Sequence, residues 1–136
     1  MSETLISKVK DILTFFEEHY SAKIDDIFVE EYIKKDGSRE YQNIEFFSKE
    51  FIYEATNFMI TDAFSCYSLN NQIRIITIEK ENYDFINATN ESKCNIRITT
   101  YDNFSFTLKA SKENCDYLKK IFDSYLKPNL RIKTIS

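Results

Sequence analysis

The chain has 136 residues, a length typical of one domain, and a net charge of −4. Charged residues make up 29% and hydrophobic residues 43%, as in globular proteins. One glycine and one histidine exclude a glycine-rich phosphate loop and any metal motif built from paired histidines. We expect a single domain over residues 1–136, with no cofactor.

The cysteines and the N-terminus predict a cellular compartment. Cys66, Cys94 and Cys115 are an odd number without CxxC spacing, which argues against a disulfide framework and a zinc site. The N-terminus lacks the pattern of a signal peptide, and no apolar run approaches the roughly 18 residues of a membrane-spanning helix. We expect reduced thiols and a cytoplasmic protein. The abundance of Ile, Asn, Lys, Phe and Tyr indicates AT-rich coding, hence a low-GC bacterium or its virus (phage).

The first predicted element is an amphipathic helix, which Ser2 or Thr4 can cap. Its apolar residues recur at helical spacing on one face. They are Leu5, Ile6, Val9, Ile12, Leu13, Phe16 and Tyr20.

A β-hairpin of residues 27–34 with 39–47 follows. Asp36-Gly37 is a strong two-residue turn signal, and it uses the only glycine of the chain. The pattern predicts further short strands over 51–60, 63–69, 72–79 and 83–88. A second hairpin is predicted from Asn95 to Tyr101 and back through 104–110, with Ile96 and Ile98 pointing inward and a turn at 102–103.

The C-terminal region predicts a helix with Ser111 as its N-cap and Pro128 at its end, and then an edge strand over 130–135. The element order indicates an α+β fold. We expect an antiparallel sheet or a partly open barrel of six to eight short strands, with an N-terminal helix and a C-terminal helix.

The segment IRITTYDNFSFTLKASKENCDYLKKIFDSYL, residues 96–126, resembles the end of a bacterial pleckstrin-homology-like domain. In such domains a strand pair rich in alternating apolar residues precedes a capped amphipathic helix that plugs a barrel. The resemblance implies a PH-like scaffold without catalytic activity, which binds proteins, peptides or lipids.

No pattern predicts a catalytic or metal site. The carboxylates next to His19 adjoin it in sequence and do not face it on a helix. The pairs Asp25-Asp26 and Glu30-Glu31 fall on a strand, where adjacent side chains point to opposite faces, so we expect a solvated edge. We therefore expect a protein that is not an enzyme and holds no metal.

An aromatic-rich block supplies the candidates for binding a partner. Phe46, Phe47, Phe51 and Tyr53 are denser than a two-residue period requires, so they either fill a core covered on both faces or leave an aromatic on an interface. We expect a non-catalytic accessory module that binds another protein or a second copy through this sheet face or a free sheet edge.

The basic C-terminal end supplies the alternative function. Residues 109–136 carry seven basic and three acidic side chains. Lys119, Lys120, Lys127 and Arg131 are candidates for binding an anionic ligand, either a lipid headgroup or, less favoured by the net charge, a nucleic acid.

Overall fold

The structure, a computed structural model, describes residues 3–33, 36–70, 72–80, 94–110 and 114–129. Within these ranges two helices flank seven strands, and a π-helical turn and a 3₁₀ turn extend the second helix. The elements are α1 (Glu3–Tyr20), β1 (Asp26–Ile33), β2 (Arg39–Phe47), β3 (Phe51–Thr56), β4 (Ala63–Ser68), β5 (Ile73–Lys80), β6 (Cys94–Thr100), β7 (Ser105–Ala110), α2 (Cys115–Ile121), the π-helical turn (Phe122–Leu126) and the 3₁₀ turn (Lys127–Asn129). The α+β prediction is confirmed.

The strands form two antiparallel sheets. The first has the order β1-β2-β3-β4 and the second the order β5-β6-β7. Within the described ranges no strand ladder joins the two sheets, so they do not close into a barrel. In each sheet, strands that follow one another along the chain are neighbours and pair antiparallel.

The first hairpin matches its prediction closely. β1 and β2 pair antiparallel from Asp26 opposite Phe47 to Ile33 opposite Arg39. Gly37 adopts a φ of +86°, a conformation that costs little without a Cβ atom. The register shifts once, between Val29 and Glu31, which marks a bulge in β2, where Gln42 and Asn43 together oppose Glu30.

Both faces of the first sheet are covered. On one face, α1 packs through Leu5, Ile12 and Phe16. On the other, the second sheet and α2 pack against a different set of side chains. Because Phe46 and Phe47 alternate along β2, one ring enters each layer. The molecule therefore has two apolar layers, separated by the first sheet.

The second hairpin departs from its prediction at one residue. Ile96 and Ile98 are buried as expected, and Asn103 takes a φ of +66° in the turn. However, β7 begins at Ser105, and Phe104 belongs to the turn, where 56% of its surface is exposed. The alternation of apolar and polar residues over 104–110 predicted that Phe104 is part of the strand. In the structure, strand pairing begins one residue later, at Ser105.

The start of α2 differs from the prediction, whereas the end of the helical segment agrees with it. The helix begins at Cys115, and its N-cap is Asn114, which makes no side-chain capping bond. Pro128 lies in the final 3₁₀ turn, where the helical segment ends as expected. Ser111 and the strands predicted over 83–88 and 130–135 lie outside the described residues.

Candidate functional site

Three glutamates from three neighbouring strands meet between the two sheets. Glu45 on β2 is directly opposite Glu54 on β3 in the ladder. Phe28 on β1 is opposite Glu45, and Glu30 follows Phe28 by two residues along the same strand. The three side chains therefore share the sheet face that packs against the second sheet. We call Glu30, Glu45 and Glu54 the glutamate cluster.

The cluster is compact and shielded from water. One carboxylate oxygen from each residue lies within 4.8 Å of the corresponding oxygen of the other two. The exposed fractions are 1% for Glu30, 0% for Glu45 and 6% for Glu54. Glutamate is rarely buried to this extent without a partner, because an ionised carboxylate loses its hydration.

Few hydrogen bonds compensate for this burial. The backbone N–H of Lys109 donates to Oε1 of Glu30 over 2.9 Å, and Oγ1 of Thr56 donates to Oε1 of Glu54 over 3.4 Å. Oε2 of Glu30 and both oxygens of Glu45 accept no hydrogen bond when the carboxyl groups are ionised. Within the described ranges, no lysine or arginine forms an ion pair with the cluster.

Burial dominates the electrostatics. Desolvation raises the pKa of Glu30, and it raises the pKa of Glu45 well above its ordinary value, with a further increase from the charge of Glu30. For Glu54, desolvation and then the charge of Glu30 raise the pKa to about 7. Because Glu30 and Glu45 lie within hydrogen-bonding reach, one carboxyl can donate to the other when it holds a proton.

The sequence-based expectation of a solvated edge is wrong for Glu30. Its side chain lies inside, because the surface of β1 that carries Phe28 and Glu30 faces the second sheet. Glu45 and Glu54 did not emerge from the sequence as site residues. Their signal is a glutamate flanked by apolar residues in each strand, which a correct register for β2 and β3 would have placed side by side.

The structure places the four partner-binding candidates mainly inside the protein. Phe46 and Phe47 have no exposed surface, and Tyr53 is 4% exposed. Phe51 is half-buried against the layer under α1. Of the two alternatives for this block, the core fits these positions, because α1 covers the outer face and the second sheet and α2 the inner face.

Exposed aromatic side chains occur elsewhere, in the turn between β6 and β7. Tyr101 is 62% exposed and Phe104 is 56% exposed. We call residues 101–104 the aromatic turn. Phe104 stacks on Tyr67 of β4 with ring centroids 6.4 Å apart, and Tyr67 stacks on buried Phe106 at 4.6 Å. The exposed ring of Phe104 thus extends an aromatic stack that begins in the core.

The basic candidates lie on or beyond the second helix. Three of them are exposed: Lys119, Lys120 and Lys127. Asp116 and Asp123 are exposed on the same helical segment, and their negative charges reduce its net positive charge. Arg131 lies outside the described residues.

The remaining candidates do not come together. His19 is exposed in the last turn of α1, with its ring centroid 4.5 Å from that of Phe15. Asp25 is exposed, whereas Asp26 accepts hydrogen bonds from the hydroxyls of Tyr117 and Tyr125. Burial raises the pKa of the Cys66 thiol, which opposes formation of a nucleophilic thiolate.

Comparison with known proteins yields a likeness of fold. No family model matches this chain, and no curated protein matches it. The chain is similar to the crystal structure of the C-terminal domain of an unknown protein from Leishmania infantum. The TM-score is 0.57 at 13% identity, and the alignment covers 87% of this chain and 98% of that one. No helix among the described residues is long and apolar enough to cross a membrane.

Proposed function

We propose that this chain is a non-catalytic binding module of PH-like architecture, which binds a protein partner through the aromatic turn. A four-stranded sheet, a three-stranded sheet and a C-terminal helix follow one another along the chain, and this order supports the resemblance at residues 96–126. The aromatic turn replaces the buried block around Phe46 as the surface for the partner.

The observation that carries the proposal is the exposure of two aromatic rings on a well-braced turn. Tyr101 N–H donates to the carbonyl of Gln72 over 2.9 Å, and Phe104 N–H donates to Oγ1 of Thr100 over 3.1 Å. Arg74 Nη2 donates to Oδ1 of Asn103 over 3.2 Å. A braced turn loses little conformational entropy when its side chains are covered, and tyrosine is enriched among the residues that dominate binding energy.

Among the described residues, an edge strand of the second sheet, β5, lies next to this turn. In the described part of the chain β5 pairs on one side only, with β6, so it is an edge strand. Ile75 on this strand is 41% exposed. A partner strand that adds to β5 would lie close to the aromatic turn, and main-chain hydrogen bonds would then supplement the aromatic contacts.

Sedimentation velocity on untagged full-length protein, over a concentration series, tests whether the partner is a second copy. If it is, the apparent mass rises towards a dimer, and Phe104→Ser shifts the equilibrium back to monomer by about tenfold or more, as expected for a hot-spot residue. Ile60→Ser is the matched control, since Ile60 is 87% exposed in the turn between β3 and β4.

If the wild type stays monomeric, the same two variants test a different protein partner. A partner recovered from the native host should bind the wild type and the Ile60→Ser variant and lose affinity for Phe104→Ser. Equal binding by all three proteins would refute the aromatic turn as the surface, and turnover of a substrate by the pure protein would refute the non-catalytic assignment.

The exposure of Lys119, Lys120 and Lys127 supports the alternative, an anionic ligand at the basic end of the chain. Binding of anionic vesicles or of an oligonucleotide would then weaken steeply with salt, and the double variant K119E/K120E would abolish it. Retained binding in that variant would reject the alternative.

The proposal includes a cytoplasmic location in a low-GC bacterium or phage. Cys66 is a free thiol, which a reducing compartment preserves.

A further inference from the structure

We propose that Glu30, Glu45 and Glu54 bind one hard divalent cation, of the class of Mg²⁺, Mn²⁺ and Ca²⁺, between the two sheets. This site is separate from the aromatic turn and does not depend on the function proposed above.

The donor set decides the class of ion. All three side chains offer carboxylate oxygens, and the cluster contains neither a sulfur nor an imidazole donor. Hard cations prefer such ligands, whereas zinc and copper sites draw on cysteine and histidine.

The spacing of the three carboxylate oxygens is compatible with binding of one shared ion. Two oxygens that each bind one ion at about 2.4 Å lie at most about 4.8 Å apart. Each pair of glutamate oxygens meets this limit for Ca²⁺, since the three lie within 4.8 Å of one another, and binding would draw them closer to a common ion. Three adjacent strands hold them there, so little rearrangement would accompany binding.

A second observation is the unmet bonding capacity of Glu45. Its side chain is fully buried and directed at the other two glutamates, and neither oxygen accepts a hydrogen bond from a group outside the cluster. Oε2 of Glu30 is in the same state. Leaving buried acceptors unpaired is costly, and a cation in the cluster would satisfy these oxygens at once.

The charge balance also favours a divalent ion. Three ionised carboxylates carry a charge of −3, which a divalent ion reduces to −1, and the N–H of Lys109 already donates to Glu30. Burial at this depth closes the site to a substrate, so the ion would be structural. It would tie β1, β2 and β3 together beneath the second sheet.

The experiment uses the full-length chain after treatment with a chelator and removal of the chelator. We expect titration with Mn²⁺ alone to give about one bound ion per chain by calorimetry. A hundredfold excess of Mn²⁺ over its dissociation constant should raise the unfolding temperature by roughly 5–10 °C. Separate titrations with Ca²⁺ and Mg²⁺ then show which of the three ions raises the unfolding temperature most.

Two glutamate-to-glutamine variants show where the ion binds. Glu45→Gln keeps the shape of the side chain and removes its charge, so the variant should fold without metal and lose the Mn²⁺-induced shift. Glu50→Gln, at an exposed position between β2 and β3, should keep the full shift.

Three results would overturn the proposal. The first is no shift in the wild type with any of the three ions, which would mean that the cluster holds protons only. The second is an unchanged shift in Glu45→Gln, and the third is loss of the shift in Glu50→Gln. The first result needs only the wild-type protein, so the proposal can be refuted even if a variant fails to fold.

Discussion

The backbone N–H of Lys109 donates a hydrogen bond to Oε1 of Glu30 over 2.9 Å, and this bond links the edges of the two sheets. Lys109 lies on β7, an edge strand of the second sheet, and Glu30 lies on β1, an edge strand of the first. A side-chain carboxylate thus occupies the place where a neighbouring strand would supply a carbonyl.

Substitution of Glu30 tests this link. Glu30→Ala removes the acceptor and leaves the N–H of Lys109 without its partner, so we expect a loss of about 1–3 kcal/mol in the free energy of unfolding. Glu30→Gln keeps an acceptor oxygen and removes a buried charge, so it should be as stable as the wild type or more stable. Urea unfolding of chelator-treated protein measures both. Equal destabilisation by the two variants would contradict the assignment.

The glutamate cluster makes stability depend on pH. The pKa of Glu54 is about 7 in the folded protein, against 4.5 for an ordinary glutamate. Between these values the folded state binds more protons than the unfolded state, so stability falls as the pH rises from about 4.5 to about 7. For Glu54 alone the loss is about 3 kcal/mol, and Glu30 and Glu45 act in the same direction.

Urea unfolding at a series of pH values, on chelator-treated protein, measures this slope. The charges that bear on the cluster are those of its own three members and of Lys109, whose attraction lowers the pKa of Glu30. Glu54→Gln should flatten the profile over this pH range, and Glu50→Gln should leave it unchanged. A wild-type protein that gained stability steadily from pH 5 to pH 7 would contradict the prediction.

Phe46 and Phe47 should both be essential for stability, for different reasons. The ring of Phe46 lies 5.4 Å from that of Phe16 in α1, and the ring of Phe47 lies 5.2 Å from that of Tyr125 beyond α2. Each Phe→Ala substitution should cost about 3–5 kcal/mol.

Hydrogen exchange by mass spectrometry separates the two effects. Phe46→Ala should increase exchange mainly in α1, and Phe47→Ala mainly in the segment of residues 115–126. A Phe→Ala variant as stable as the wild type would show that its ring is not in the core.

Local signals predicted much of the fold. The helical period of residues 5–20 and the Asp36-Gly37 turn act within a few residues, and both elements appear where they were expected. Even so, Ile6 and Tyr20 on the predicted apolar face are 38% and 48% exposed. Packing against the first sheet therefore buries only part of the apolar face of α1, and no local pattern encodes which part.

The glutamate cluster could not be predicted, because it depends on contacts across strands. Glu30 and Glu54 are far apart in sequence and meet only through the registers of β1, β2 and β3. The bulge at residues 42–43 of β2 lies opposite Glu30, and no turn signal encodes it. Adjacent residues Glu30 and Glu31 also differ sharply in environment, since Glu31 pairs with Arg39 near the surface.

The pair of tyrosines around Asp26 should stabilise the attachment of the C-terminal helical segment to β1. The hydroxyl of Tyr125 donates to Oδ2 of Asp26, and that of Tyr117 donates to the carbonyl of Ile27 over 2.9 Å. Tyr125→Phe keeps the ring and removes a bond to a charged acceptor, so it should cost about 1.5–3 kcal/mol in urea unfolding. Tyr20→Phe, at an exposed site, is the control and should cost almost nothing.

Alkaline titration, followed by tyrosine absorbance, provides a second measurement. Burial, and then the bond to Asp26, raise the pKa of Tyr125 above its ordinary value of 10.0. The folded protein therefore retains this proton where the unfolded chain loses it, and stability declines as the pH rises above about 10. The Tyr125→Phe variant should lose the tyrosine that ionises last. If the full number of tyrosines in the wild type ionised near pH 10 while the protein remained folded, the hydrogen bond to Asp26 would be contradicted.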